Sequence, residues 1–163
     1  MSADDVVVLA VEAQDGQYHL RSKPEMDNPW PGSPDGLLTG EAGWIAVLTG
    51  TEFGSVPATF RVHPHAPPLN DHDWDMAVER TLDCPDGEIT VASLYSSDSR
   101  TVRVPAGFVR LRVSVRNRGS ASVTPAQAPE QPEAHLIDAW SVPEWQPSRV
   151  VAGPDETAQY RIS

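Results

Sequence analysis

Six side chains of metal-ligand or proton-transfer type crowd into one short stretch, HPHAPPLNDHDWD: His63, His65, Asp71, His72, Asp73 and Asp75. In an extended chain His63 and His65 project to the same side, as two imidazoles on one metal ion must, and a carboxylate from the following loop would complete the set. Pro64, Pro67 and Pro68 interrupt the path, and neither an HExxH pair nor a CxxC pair occurs in the chain. Solvated loop residues beside a Pro turn are the reading. A metal site at His63, His65 and His72 stands as the alternative, and no cofactor is assigned.

Other chemistries find fewer candidates. There is no GxSxG elbow, no GxxxxGKS phosphate loop and no GxGxxG. Cys84, the one cysteine, falls on the inward side of an alternating pattern next to Pro85, which reads as a small buried hydrophobe in a reducing compartment. Two carboxylates for glycoside hydrolysis could be drawn from 23 acids, so that pairing discriminates nothing. An enzyme is not the expectation. Of the five Trp, Trp44, Trp74 and Trp140 sit in apolar strand patterns and read as core. Trp30 and Trp145 lie in NPWPGSP and VPEWQPS, loops from which an aromatic ring can anchor a partner or stack on a sugar.

The elements that must position these residues are strands. Sixteen Pro in 163 residues are incompatible with a mostly helical chain. DVVVLAVEA (5–13) and QYHLRS are joined by Asp15-Gly16, the dipeptide of a tight type I′ turn, and read as a hairpin. GWIAVLTGT (43–51) and ATFRVHP (58–64) read as strands. Residues 74–84 alternate with period two except at Arg80, a strand with a helix over 74–80 as the alternative, and are followed by Asp86-Gly87 and EITVASLYS, which reads as a second hairpin. TVRVP (101–105) and FVRLRVSVR (108–116) follow. The latter sets Val109, Leu111, Val113 and Val115 against Arg110, Arg112, Ser114 and Arg116, a strand with one wet face. HLIDAWSVP (135–143) is a last clear strand, and SRVVA and AQYRIS are weaker strand-like pieces. No capped amphipathic helix is apparent. Residues 23–41 and 119–133 read as long Pro-rich loops. The fold expected over 1–163 is a single all-β domain, an antiparallel β-sandwich of eight to ten strands.

Charge is distributed unevenly. The net charge is −11, and through residue 90 there are 4 basic and 16 acidic residues, against 8 and 7 from residue 91 onward. Such a surface repels nucleic acid and anionic membranes and attracts basic proteins. No apolar run reaches the length of a membrane span and the start carries no signal-peptide pattern, so a cytoplasmic protein is expected. Two fates are open to the acids at 71–88. They pair across strands, Asp75, Glu79 and Asp83 meeting Arg110, Arg112 and Arg116, or they stay free and steer a basic partner.

The succession NDHDWDMAVERTLDCPDGEITV, VRVPAGFVRLRVSV and HLIDAWSVP resembles small bacterial β-sandwich proteins, and among them is similar to the ComJ type of competence nuclease inhibitor over residues 68–143. The resemblance implies an acidic inhibitor seated on the basic surface of a nuclease. The function expected is thus that of a non-enzymatic inhibitor or immunity-like protein. Its contacts with a basic protein partner would be Asp71, Asp73, Asp75 and Glu79, anchored by Trp30 or Trp145. A carbohydrate- or small-molecule-binding sandwich using loop Trp residues is the alternative.

Overall fold

Eleven strands and one short helix make up the computed structural model, which describes residues 5–23, 32–70, 72–95, 99–119 and 132–162. In chain order the strands are β1 (Asp5–Gln14), β2 (Gln17–Arg21), β3 (Leu38–Glu41), β4 (Trp44–Leu48), β5 (Phe53–His63), β6 (Met76–Cys84), β7 (Glu88–Ala92), β8 (Ser99–Arg103), β9 (Gly107–Arg116), β10 (Ala134–Ser141) and β11 (Arg149–Ala152). The helix, α1, spans Glu156–Arg161. All eleven strands join one sheet in the order β11-β6-β9-β10-β5-β1-β2-β4-β3, with β7 branching from β2 and β8 lying beyond β7.

The chain is mostly β, but it is not the antiparallel sandwich that the alternation suggested. The sheet is mixed, because β10 runs parallel to β5, and it curls into a half-barrel. Alternation tells each strand which face to bury; it does not say whether the buried faces belong to two sheets or to one sheet bent upon itself. Here the inner faces meet in one core. Leu9, Val11, Tyr18, Leu20, Ile45, Val47, Phe60, Met76, Val78, Leu82, Ile89, Val91, Leu111, Val113 and Ile137 all bury there.

Both Asp-Gly turns form, and neither makes the expected hairpin. Asp15 and Gly16 both adopt positive φ, 53° and 72°, the type I′ geometry that suits this dipeptide. Only Gln14 and Gln17 pair across the turn, however. β1 then leaves β2 and pairs with β5 over all ten residues, from Asp5↔Val62 to Gln14↔Phe53. At Gly87, φ 68°, the chain passes from β6, which pairs with β9 and β11, to β7, which pairs with β2 and β8. A turn dipeptide fixes local backbone, while the choice of neighbour belongs to the longer-range burial that each strand achieves.

Three further expectations change. Within 23–41 the chain forms β3, paired with β4; residues 24–31 of that stretch, like 120–131 of the second loop, lie outside the described residues. The tail expected as a strand instead ends α1 over 158–161, with Ile162 as its C-cap. Asp155 caps this helix by accepting from the Ala158 N–H at 2.9 Å, and Glu156 in its first turn and Arg161 in its last match the helix dipole. Finally, the supposed wet face of β9 is dry. Arg110, Arg112 and Ser114 are buried, because the segments around Pro67 and Gln146 fold over them.

What the buried arginines meet is a row of alternating charge, one residue per strand. In register across the outer face stand Arg149 on β11, Glu79 on β6, Arg112 on β9, Asp138 on β10 and Arg61 on β5. Glu79 Oε2 accepts from Arg112 Nε at 2.9 Å, and Asp138 Oδ1 from Arg61 Nε at 3.0 Å. The same Glu79 lies 3.6 Å from Arg110 Nε. Removing Glu79 would leave the buried Arg110 and Arg112 without their acid. Glu79→Ala is therefore expected to cost about 3 kcal/mol in urea unfolding, and a loss below about 1 kcal/mol would show that the pairing does not stabilise the sheet.

Candidate functional site

The histidines of the sequence cluster part company. His63, at the end of β5, places Nε2 2.7 Å from Asp138 Oδ1, the oxygen that also accepts from Arg61. His65 and His72 are exposed in the connection to β6. Among the described residues no three His, Cys, Asp or Glu side chains converge in a way that could hold a metal ion, and Asp71 lies outside them. Cys84 is buried, and burial, with Asp83 beside it, pushes its thiol up to about 12, too high for a thiolate nucleophile.

The acids expected to meet a partner separate too. Glu79 is turned in, onto Arg110 and Arg112. Asp73 is exposed and accepts from Asn70 Nδ2 at 2.6 Å. Asp75 is exposed and accepts from the Asn117 N–H at 2.8 Å; Arg116, a candidate partner, instead stacks over the Trp74 ring with its guanidinium carbon 5.0 Å from the centroid. Trp145 is 43% exposed and meets Phe108 edge-on at 6.2 Å, at the opposite end of β9 from Asn117 and Asp75. Trp44 and Trp140 are buried, and Trp30 lies outside the described residues.

Around Asp75 the structure assembles a rim that the sequence did not reveal. Asp75 and Asn117 share an open cavity of about 720 Å³ with Glu156, Thr157 and Tyr160 of α1. Its floor is the buried Arg118, whose guanidinium donates to both oxygens of Asp155, at 2.6 and 2.8 Å, and to the carbonyls of Gly36 and Leu48. Burial raises the Asp155 carboxyl, but the hydrogen bond and charge of Arg118 outweigh it and hold the group below the usual carboxylate range. Gly50 is needed where it stands, since a Cβ there would overlap the Arg118 carbonyl.

The rim continues through contacts of Arg161 and the first turn. Arg161 donates to the Thr49 carbonyl, Thr49 N–H donates to Gly16 O, and Gly16 N–H donates to Glu52 O. Phe53 pairs with Gln14, and the Tyr95 N–H donates to the Gln14 side chain. Tyr160 is 87% exposed on the cavity it shares with the exposed Asp75 and Glu156, and at the first turn Phe53, 63% exposed, follows the exposed Glu52 while Tyr95 is 61% exposed. Aromatic rings interleaved with carboxylates form a surface that can bury apolar contacts while attracting cations.

Beneath the rim runs a buried polar chain. The Tyr18 hydroxyl lies 2.8 Å from His135 Nδ1, and His135 Nε2 lies 2.6 Å from Glu133 Oε2. Glu133 also accepts from the Gly50 and Thr51 N–H groups and the Thr51 hydroxyl. The order hydroxyl, imidazole, carboxylate is that of a nucleophile relay, but all three groups are buried and burial drives the Tyr18 hydroxyl well above its ordinary value. Burial likewise lowers His135, so a neutral ring donating to Glu133 and accepting from Tyr18 satisfies every partner. The relay joins strands; it does not face a substrate.

No protein-family model and no curated protein matches the sequence. Two solved structures match the fold. The chain is similar to ComJ. That protein, from Bacillus subtilis, is described as an inhibitor of the DNA degrading activity of NucA; the TM-score is 0.60 at 15% identity, covering 85% of this chain and 96% of ComJ. The second, crocagin biosynthetic gene J, gives a TM-score of 0.58 at 13% identity, covering 85% of this chain and 98% of the other. The resemblance read from the sequence between 68 and 143 is thus a distant one that extends across most of the chain. At this identity ComJ shares the architecture with this protein. No helix among the described residues is long and apolar enough to cross a membrane.

A second histidine makes the core sensitive to acid. His19 is buried between Gln17 Oε1 at 2.8 Å and Arg21 Nη2 at 3.0 Å, and burial, aided by the Arg21 charge, lowers it from 6.5 to about 4. A histidine lowered on folding takes up protons more readily in the unfolded chain. Its contribution is complete above its unfolded value and drains away as the pH falls from 6.5 towards 4. From about pH 7 to about pH 5 the unfolding free energy should drop by about 2 kcal/mol from His19, with His135 adding in the same direction. In His19→Gln that drop should shrink by a similar amount in urea titrations at the two pH values; an unchanged drop would contradict the assignment.

Proposed function

We propose that this chain is a non-enzymatic binding protein, an inhibitor or immunity-like protein that occludes the surface of a basic protein partner. The observation that carries this reading is the cavity on which Tyr160 stands exposed with Asp75 and Glu156, linked through Arg161 and Thr49 to the first turn, where Phe53 and Tyr95 are exposed and Glu52 adjoins Phe53. Exposed aromatics of this kind are the residues that anchor interfaces, and the surrounding carboxylates would speed encounter with a cationic patch. The overall charge of −11 acts in the same sense, because it repels nucleic acid and favours whatever binds nucleic acid. The fold similarity to ComJ supports an inhibitor of a DNA-degrading nuclease in particular.

Inhibition of this type is steric. An acidic body bound over a cationic active cleft excludes DNA by volume and by charge, and no chemistry is required of the inhibitor. Asp75 belongs to the contact, with Asp73 and Asp71 next to it in sequence. Glu79 holds the sheet together, and Trp145 lies at the far end of β9, so their contribution would need a partner that wraps around the barrel.

The test is titration of the purified chain into DNA cleavage by the basic nucleases of its own host. Cleavage should fall stoichiometrically at about 50 mM salt, and the inhibition constant should weaken about tenfold or more at about 300 mM. Glu52→Lys combined with Glu156→Lys removes no hydrogen bond described within the chain and should weaken inhibition by at least about tenfold, at a stability cost no larger than the helix-dipole contribution of Glu156, about 1 kcal/mol or less. Inhibition indifferent to both salt and charge reversal would refute the electrostatic reading, and no inhibition of any basic nuclease would refute the nuclease partner.

A further inference from the structure

One edge of the sheet is left open where the others are guarded. No described strand pairs with the far side of β1 before Gln14, so nine residues, from Asp5 to Ala13, have no described strand partner on that side. β3 and β11, which end the sheet, have four residues each, and β8 carries Arg100 and Arg103. Short strands and edge charges are the usual protections against strand pairing. β1 has neither in its middle.

The direction of its backbone can be read from one hydrogen bond. The Glu12 carbonyl accepts from Ser93 Oγ at 2.8 Å, across the gap towards β7, so this peptide group faces away from β5. The register with β5 is unbroken, and every second residue therefore shares that direction. Val6, Val8 and Ala10 accordingly aim their N–H and C=O groups at the open side. Their side chains leave the core as well: Val6 is 54% and Val8 73% exposed, and Pro57 on β5 and Leu136 on β10 extend the apolar surface. Between Val8–Glu12 and the Val91–Ser93 segment runs an open cleft of about 250 Å³.

We propose that the β1 edge takes up an extended segment of a protein partner as an added strand. Alternate apolar side chains of that segment lie beside Val6 and Val8, and Lys or Arg residues near its ends face Asp5 and Glu12. β1 contains two acids and no base, which selects a basic segment and sets two copies of this chain against each other by like charge. Arg100 lines the β8 wall of the cleft, so the basic ends belong on the β1 side. The assignment rests on the basic-partner reading above, and β1 runs directly into the rim at Gln14.

The probe is a synthetic nonapeptide alternating Val and Thr between Arg-Lys ends, added to the whole chain. Binding should protect the amides of Val6, Val8 and Ala10 from hydrogen exchange. It should weaken at least about tenfold when alternate peptide amides on one side are N-methylated, or when the ends are Glu instead. Val8→Pro removes a donor that no described strand uses, so it should fold and lose the peptide; Val8→Lys, which keeps the amide and places a cation on the edge, should weaken it too. Undiminished binding by both folded variants, equal binding of the Glu-ended peptide, or no binding at millimolar peptide would overturn the assignment. So would a concentration-dependent dimer of this chain that Val8→Lys dissolves. If both variants still inhibit a nuclease that Glu52→Lys with Glu156→Lys does not, the basic-partner reading survives without the edge.

Discussion

A charge buried in a sheet must find its opposite in the neighbouring strand, and this requirement sets the register of half the molecule. Arg149, Glu79, Arg112, Asp138 and Arg61 occupy successive strands, and each lies directly opposite the next. Slipping any of these strands by one residue would carry its charge through the sheet to the hydrocarbon side, against residues such as Val113 or Ile137. The parallel pairing of β10 with β5 becomes intelligible in the same terms. Asp138 must lie between Arg112 and Arg61, and His63 then closes on the same carboxylate.

The row also governs what remains for the surface. It absorbs two acids and three arginines, and Asp155 on Arg118 absorbs one more of each. Arginine is thus largely engaged inside and along the sheet, while Glu52, Asp73, Asp75 and Glu156 stay exposed. An acidic exterior follows from the way the interior was neutralised. A binding role for such a surface requires no additional charge, only apolar groups to give the contact permanence, and Tyr160 and Phe53 are those groups.

Local features were legible in the sequence to the extent that they are local. The positions of β1, β4, β6, β9 and β10, the inward direction of Cys84, the Asp15-Gly16 turn and the pairing of Glu79 with Arg112 all follow from alternation, turn chemistry and charge. Strand neighbours did not follow, because β7 and β6 are equally good partners for each other until the curl of the sheet separates them. The dryness of Arg110 and Arg112 was hidden for the same reason: the segments that cover them come from more than thirty residues away. The rim depended on α1, and its signal was present but faint, an Asp155 cap and a Glu156 after a Gly-Pro pair. Where the pattern at 158–162 is weakly strand-like, the Asp155 cap, itself held by Arg118, favours the helix.

The buried Tyr18, His135 and Glu133 chain connects the interior to the proposed contact surface. Glu133 holds the Gly50 and Thr51 amides, and Thr49 and Glu52 in turn hold the Gly16 turn on one side, as Arg161 is held on the other. A carboxylate buried beside a neutral imidazole is costly unless each oxygen is satisfied, and here backbone amides supply what a solvent shell would. The loop that presents Glu52 and Phe53 is therefore fixed from within by the same kind of interaction that sets the sheet register. A surface so anchored loses little conformational entropy when a partner arrives, which favours a rigid occluding body over a loop that folds onto its target.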